Sequence, residues 1–250
     1  MANPDPELRR SRPVHREVVS FVRRSARMRP NQLLAWETHR DRFVLDVARG
    51  ETSTSVHPAA SFDLTAEFGR QAPLVVEIGP GTGESLVPMA QARPGSNVLA
   101  FEVYQPALAQ ILAGLVGRGL ENVRLVEADA EAGIRQLLPD AGVDELWMFF
   151  PDPWHKAKHH KRRLLNRGFA DVAAAKLGPG AVWRLATDWA DYADWMREVL
   201  DDHPAFENLH PRAWAPRWPE RPVTRFEQRG IDAGRQIFDL GYRRLDRGHG

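Results

Sequence analysis

An α/β fold is expected for this chain of 250 residues, with a mostly parallel sheet carrying helices on both faces. Two observations lead to it. From Pro73 onward, strand-like apolar runs alternate with helix-like runs at the spacing of βαβ units. Leu146 to Phe150 is five consecutive apolar residues without a turn former, the pattern of a strand covered on both faces.

Residues 1 to about 30 are rich in Arg and Pro and poor in large apolar residues, and read as a mobile basic arm. Asp5, Glu7 and Glu17 interrupt its charge, which argues against a transit peptide. Residues 31–250 are read as one domain. The first strand is LVVEIG (74–79), leading to a helix near Glu84–Arg93 whose first turn Pro88 shortens or bends. NVLAFEV (97–103) precedes a helix over Pro106–Arg118, and NVRLVEAD (122–129) a helix over Glu131–Leu138. ELWMFF (145–150) is followed by a helix near Lys161–Lys176, and AVWRLAT (181–187) by one ending near Leu200. Short strands at Phe206–Leu209 and Gln236–Tyr242 close the pattern.

Composition narrows the function. Hydrophobic residues make up 43% and charged residues 27%, ordinary for a globular protein. The net charge of +1 leaves any nucleic-acid affinity to local patches. With no cysteine, disulfides, thiolate metal sites and cysteine nucleophiles are excluded. No apolar run approaches the roughly 18 residues of a membrane span, and no signal-peptide core is visible. No membrane partner and a cytoplasmic setting are therefore expected.

Ligands of such sheets sit beyond the carboxyl ends of the strands. After the first strand come Glu77 and the loop Gly79-Pro80-Gly81-Thr82-Gly83, whose glycines allow a tight turn and close backbone approach. Glu84 occupies the position where a dinucleotide loop has its third glycine, which counts against NAD. Glu102 ends the second strand, where an acid can accept from ribose hydroxyls. Asp129 ends the third, suited either to an adenine amino group or to capping the next helix. After the fourth, Pro151 and Pro153 fix the backbone around Asp152, with Trp154 beside it. Trp154 could stack on a base or pack in the core. Thr187-Asp188-Trp189 follows the fifth strand and has the residues of a helix N-cap. Thr224 to Gly230, polar and mixed in charge, reads as a surface loop. The strip Lys158 to Arg163 supplies cations for phosphate. His155 and His159 have the i,i+4 spacing of metal ligands, but the neighbouring cations repel a divalent ion, so no metal is expected.

EIGPGTG, FEVY, EADA, FFPDPWHKAKHHKRR, ATDW and TRFEQRG, in that order, resemble the bacterial tRNA (guanine-N7-)-methyltransferase family, and SFVRRSAR (20–27) resembles its basic N-terminal segment. The PDPWHK and TRFE blocks are specific, and coverage runs from about residue 20 to 242. The resemblance implies a Rossmann-like class I methyltransferase fold of seven strands that uses S-adenosyl-L-methionine to make 7-methylguanosine at position 46 of tRNA. It implies that Glu77, Gly79, Gly81, Gly83, Glu102, Asp129 and Asp152 line the cofactor site, with Asp152 also catalytic. It implies that Lys156, Asp188, Thr224, Arg225, Phe226 and Glu227 contact the substrate. Lys158, His159, His160, Lys161, Arg162 and Arg163 would bind RNA. Pro80, Thr82 and Tyr104 depart from the family pattern around the cofactor. Two rivals stand: an adenine-N6 methyltransferase, since PDPW loosely resembles that class's loop, and a non-catalytic RNA-binding module. Oligomeric state, monomer or homodimer, is open.

Overall fold

The structure is a computed structural model that describes Phe21 and residues 27–246. The arm expected over residues 1–30, and the basic segment at 20–27, therefore lie mostly outside the described residues.

Among the described residues, seven strands form one sheet: β1 (Leu74–Ile78), β2 (Asn97–Phe101), β3 (Val123–Val126), β4 (Val143–Phe149), β5 (Leu177–Thr187), β6 (Phe206–Asn208) and β7 (Phe238–Arg244). Their order is β3-β2-β1-β4-β5-β7-β6. β1 to β5 pair in parallel, and β7 runs antiparallel to both β5 and β6. The chain winds outward from β1 to β3, then returns to β4 on the other side of β1. The strand order therefore reverses between β1 and β4, and the crevice at their carboxyl ends is where a doubly wound sheet binds ligands.

The helices are α1 (Pro30–Phe43), α2 (Leu64–Phe68), α3 (Leu86–Gln91), α4 (Gln105–Gly117), α5 (Ala130–Leu137), α6 (Arg167–Lys176), α7 (Ala190–Asp201) and α8 (Arg225–Asp232). Every residue of β1 and β2 is buried, as a sheet covered on both faces requires. Side chains alternate between the faces. Val76, Ile78, Leu99, Phe101 and Met148 join one buried cluster. Val75, Val98, Ala100 and Trp147 join the other, beneath α3 and α4.

Three local readings change. α1 and α2 are additional elements. The basic strip is a 3-10 turn over Ala157–Arg162, and the helix expected from Lys161 begins instead at Arg167, where the Asn166 side chain accepts from the Phe169 amide at 3.0 Å. Thr224 to Gly230 is not a loop: Thr224 caps α8 by accepting from the Glu227 amide at 3.2 Å. Pro88 lies in the first turn of α3, where its missing N–H is not needed, and the helix is only six residues long.

Candidate active site

The glycine loop leaves β1 with Gly79, Gly81 and Gly83 at φ of 64°, 56° and 78°, a left-handed conformation that side chains resist. Their surroundings differ. A Cβ on Gly83 would meet Ile111 of α4 at 2.7 Å, so that glycine allows close packing of loop on helix. Open space surrounds the Cβ positions of Gly79 and Gly81, which form a bare stretch of backbone at the crevice. Glu102 fastens this loop to β2, accepting from the Gly81 amide at 3.0 Å and from the amides of Val103 and Tyr104 at 2.8 and 2.9 Å.

Glu77, at the end of β1, is 1% exposed. Its Oε1 accepts from the Ser85 hydroxyl at 3.3 Å, and its Oε2 has no hydrogen-bond partner. Burial pushes its pKa from 4.5 up to about 8; the Ser85 bond opposes this, and repulsion from Glu102 adds to it. The folded value lies above the unfolded one. This contribution to stability is therefore complete below about pH 4.5 and is lost as pH rises through about 8. Glu77→Gln removes the titration, so its melting temperature relative to the parent should rise across that window. Parallel pH profiles of the two would refute this.

Asp129 caps α5, accepting from the Ala132 amide at 3.1 Å. This bond fixes the carboxylate at the start of α5, at the carboxyl end of β3. Asp152 follows β4 in a turn whose flanks, Phe150 and Trp154, have φ of 52° and 47°. Positive φ at bulky residues costs on the order of 1–3 kcal/mol each and persists only when neighbours enforce it. The enforcing contacts are visible. Phe150 donates its amide to Ala186 of β5 at 2.7 Å, and the Arg221 guanidinium lies over its ring at 5.3 Å. The Arg162 guanidinium lies 3.7 Å over the half-buried Trp154 ring. Trp154 is thus neither in the core nor bare. Arg163 Nε donates to the Pro153 carbonyl at 3.1 Å.

Arg163 is a correction to the basic strip. It is 2% exposed, paired with Asp191 and packed over Tyr192 and Trp195, so its guanidinium belongs to the fold and not to a phosphate surface. His160, read in the same strip, lies against Arg163 and Asp191. Lys158 and Lys161 are exposed, as is Lys156. His159 meets the Trp154 ring edge-on and His155 lies on the Trp189 ring.

Glu227 is a second correction. It is wholly buried and bonded to Arg217 and Arg221, so it cannot reach a substrate in this arrangement. Phe226 is 45% exposed and packs on Phe150 at 5.3 Å, which brings α8 to the Asp152 turn. Asp188 does not cap α7, whose N-cap is Trp189; it pairs with Arg235 at 2.8 Å beside α8. Sequence reading missed Arg221, Arg235 and the role of Glu84, whose carboxylate binds Arg225. No local pattern announces such long-range pairs. Among the described residues no group of His, Asp or Glu is arranged to hold a metal, and no helix is long and apolar enough to cross a membrane.

A family model described as "Putative methyltransferase" matches residues 71–240. A tRNA (guanine-N(7)-)-methyltransferase of Cutibacterium acnes is 51% identical over 93% of this chain and 85% of its own length. One from a Nocardioides species is 50% identical over 92% of this chain and 88% of its own. Among solved structures, the 16S rRNA methyltransferase KamB superposes with a TM-score of 0.52 over 77% of this chain and 99% of its own, at 19% identity, a likeness of fold.

Proposed function

The chain belongs to the tRNA (guanine-N(7)-)-methyltransferase family, and from that premise we propose that it methylates N7 of guanine 46 in the tRNA variable loop, using S-adenosyl-L-methionine. The observation that carries the reading is the meeting of the glycine loop, Glu77 and the Asp152 turn at the β1–β4 switch point.

The residues fit this cofactor. Glu77 has an orphaned, buried oxygen where a cation would be welcome, and the bare backbone at Gly79 and Gly81 admits close approach. Glu102 and Asp129 offer acceptors for ribose hydroxyls and the adenine amino group. When bound, S-adenosyl-L-methionine supplies an electrophilic methyl on a sulfonium, whose carbon–sulfur bond breaks as the N7–carbon bond forms. With its pKa pushed up to about 8 by burial, Glu77 favours its protonated form at neutral pH, and a cation beside it competes with that proton. Affinity for the cofactor should therefore rise with pH, up to about tenfold per unit below pH 8, and level off above it.

Guanine N7 is a lone pair in the major groove, already unprotonated. No proton leaves it during transfer, so the site needs no general base. Asp152 instead accepts from guanine N–H groups, which orients N7, and faces the positive charge that develops on the ring. Orientation alone can supply up to roughly 7–11 kcal/mol. Trp154, Phe226 and Phe150 offer aromatic faces at the mouth; stacking of a base is worth about 1–3 kcal/mol.

Lys158 and Lys161 are the cations of the strip that meet the tRNA backbone. Lys158→Ala with Lys161→Ala should lower the slope of log affinity against log salt by about 1.4–1.8, for two phosphates. An unchanged slope removes them from the interface. Arg163→Ala should lower the melting temperature instead.

The reading is tested by transfer of labelled methyl to tRNA, followed by nucleoside analysis and mapping. 7-Methylguanosine at position 46 supports it; 6-methyladenosine alone would favour the adenine-N6 rival. Calorimetry showing no cofactor binding at millimolar concentration would favour a non-catalytic RNA-binding module.

A further inference from the structure

Glu84, the residue directly after the glycine loop, spans the crevice to the segment assigned to substrate. Its Oε2 accepts from the backbone amide of Arg225 at 2.7 Å, and its Oε1 pairs with the Arg225 guanidinium at 2.5 Å. The two residues are 141 positions apart. The amide is the first of α8, one of the donors a helix start leaves without an internal partner. Thr224 satisfies another, through Glu227. The first turn of α8 is thus capped partly by its own threonine and partly by the cofactor loop.

The contacts continue on both sides. Behind Glu84, Gly83 packs on α4 and Gly81 donates to Glu102, so the loop is held by a residue assigned to ribose. Ahead of it, Phe226, next to Arg225 on α8, lies on Phe150 at the Asp152 turn. A continuous path runs from Glu102 through Gly81, Glu84, Arg225 and Phe226 to the turn that bears Asp152. Glu84 is 27% exposed and Arg225 74% exposed in their side chains, so the link lies at the mouth and not in the core.

We infer that Glu84 is a positioning residue that couples occupancy of the cofactor site to tRNA affinity, by tying the glycine loop to the start of α8. The inference rests on the proposed function. A nucleoside bound against Gly79, Gly81 and Glu102 fixes the loop, the loop fixes Glu84, and Glu84 presents Arg225 and Phe226 to RNA. By linkage, tRNA must raise nucleoside affinity by the same factor.

The test is the affinity for unmodified tRNA with and without saturating S-adenosylhomocysteine, which cannot transfer a methyl. In the parent protein the nucleoside should tighten tRNA binding by about tenfold, within the usual range of such couplings. Glu84→Gln, which keeps an acceptor for the Arg225 amide but loses the ion pair, should reduce that factor to about twofold or less. Its affinity for the nucleoside alone should stay within about twofold of the parent, and its melting temperature should be unchanged. In a double-mutant cycle, Glu84→Gln and Arg225→Gln should be non-additive for the coupling factor. A parent without coupling, a coupling that survives Glu84→Gln, or additive effects would each overturn the inference. Those outcomes leave 7-methylguanosine formation intact, whereas absence of that product is failure of the proposed function itself.

Discussion

Asp152→Ala is expected to lower kcat by about 10²–10³, the loss typical when one preorganised electrostatic group is removed from a reacting centre. Cofactor affinity should change by less than about threefold, because the proposed site assigns most of its acceptors to Glu77, Glu102 and Asp129. The reason lies in how the carboxylate is held. Two prolines flank it, Phe150 and Trp154 hold left-handed backbone conformations on either side, and Arg163 grips the Pro153 carbonyl from the protein interior. A turn this constrained fixes the Asp152 Cα, so on the proposed reading the carboxylate is delivered to one place at the crevice and spends little backbone freedom on meeting a guanine. Asp152→Asn should recover part of the orientation and little of the charge stabilisation, leaving kcat between the parent and Asp152→Ala. Single-turnover transfer and calorimetry on the same preparations measure both. Near-normal turnover of Asp152→Ala would reduce Asp152 to a turn residue.

How much of this site was legible in the sequence depends on the range of the forces involved. β1, β2 and β4 were readable because parallel strands buried on both faces leave unbroken apolar runs, as at Val98 to Phe101 and Leu146 to Phe149. The acids at their ends followed from the topology, which puts strand termini around one crevice. α1 was hidden because Leu33 and Leu34 face outward while Ala35, Trp36 and Phe43 are buried, which blurs the helical period. α8 was hidden because its composition is polar, although Thr224 and Glu227 have the spacing of a capping box. Arg163 and Glu227 were misread for a common reason. A charged residue in a polar segment is ordinarily solvated, and only partners distant in the chain, Pro153 and Asp191 for one and Arg217 and Arg221 for the other, reveal that it is internal. Local pattern reports on local structure; ion pairs closed by tertiary packing leave no periodic trace.

Glu227→Ala is expected to destabilise the protein by up to roughly 3–5 kcal/mol, the range found when one member is removed from a buried ion pair. Glu227 has no exposed surface and Arg221 is 1% exposed. Arg221 divides its guanidinium between Glu227 Oε2 at 2.7 Å and Asp239 at 2.9 and 3.2 Å, while Arg217 takes the other oxygen of Glu227. Two cations and two anions thus balance, with Arg217 at the edge of the cluster and the other three buried, and this cluster joins α8 to β7. Burial raises the Asp239 pKa and the Arg221 charge opposes the rise. With Glu227 gone, Arg221 keeps one acid instead of two, and the Arg221 stack on Phe149 and Phe150 behind the Asp152 turn loosens. For a chain of this size the loss corresponds to about 6–20 °C in melting temperature. Arg221→Ala should cost a comparable amount, and the double variant less than the sum, because the two remove one shared interaction. The direct substrate contact implied by family resemblance makes the opposite forecast: an unchanged melting temperature with KM for tRNA raised. Thermal unfolding and steady-state kinetics on Glu227→Ala therefore separate a residue that builds the α8 platform from one that touches RNA. A fall in stability with KM preserved in the remaining folded fraction assigns Glu227 to the platform, leaving Arg225 and Phe226 as the parts of that segment that face the substrate.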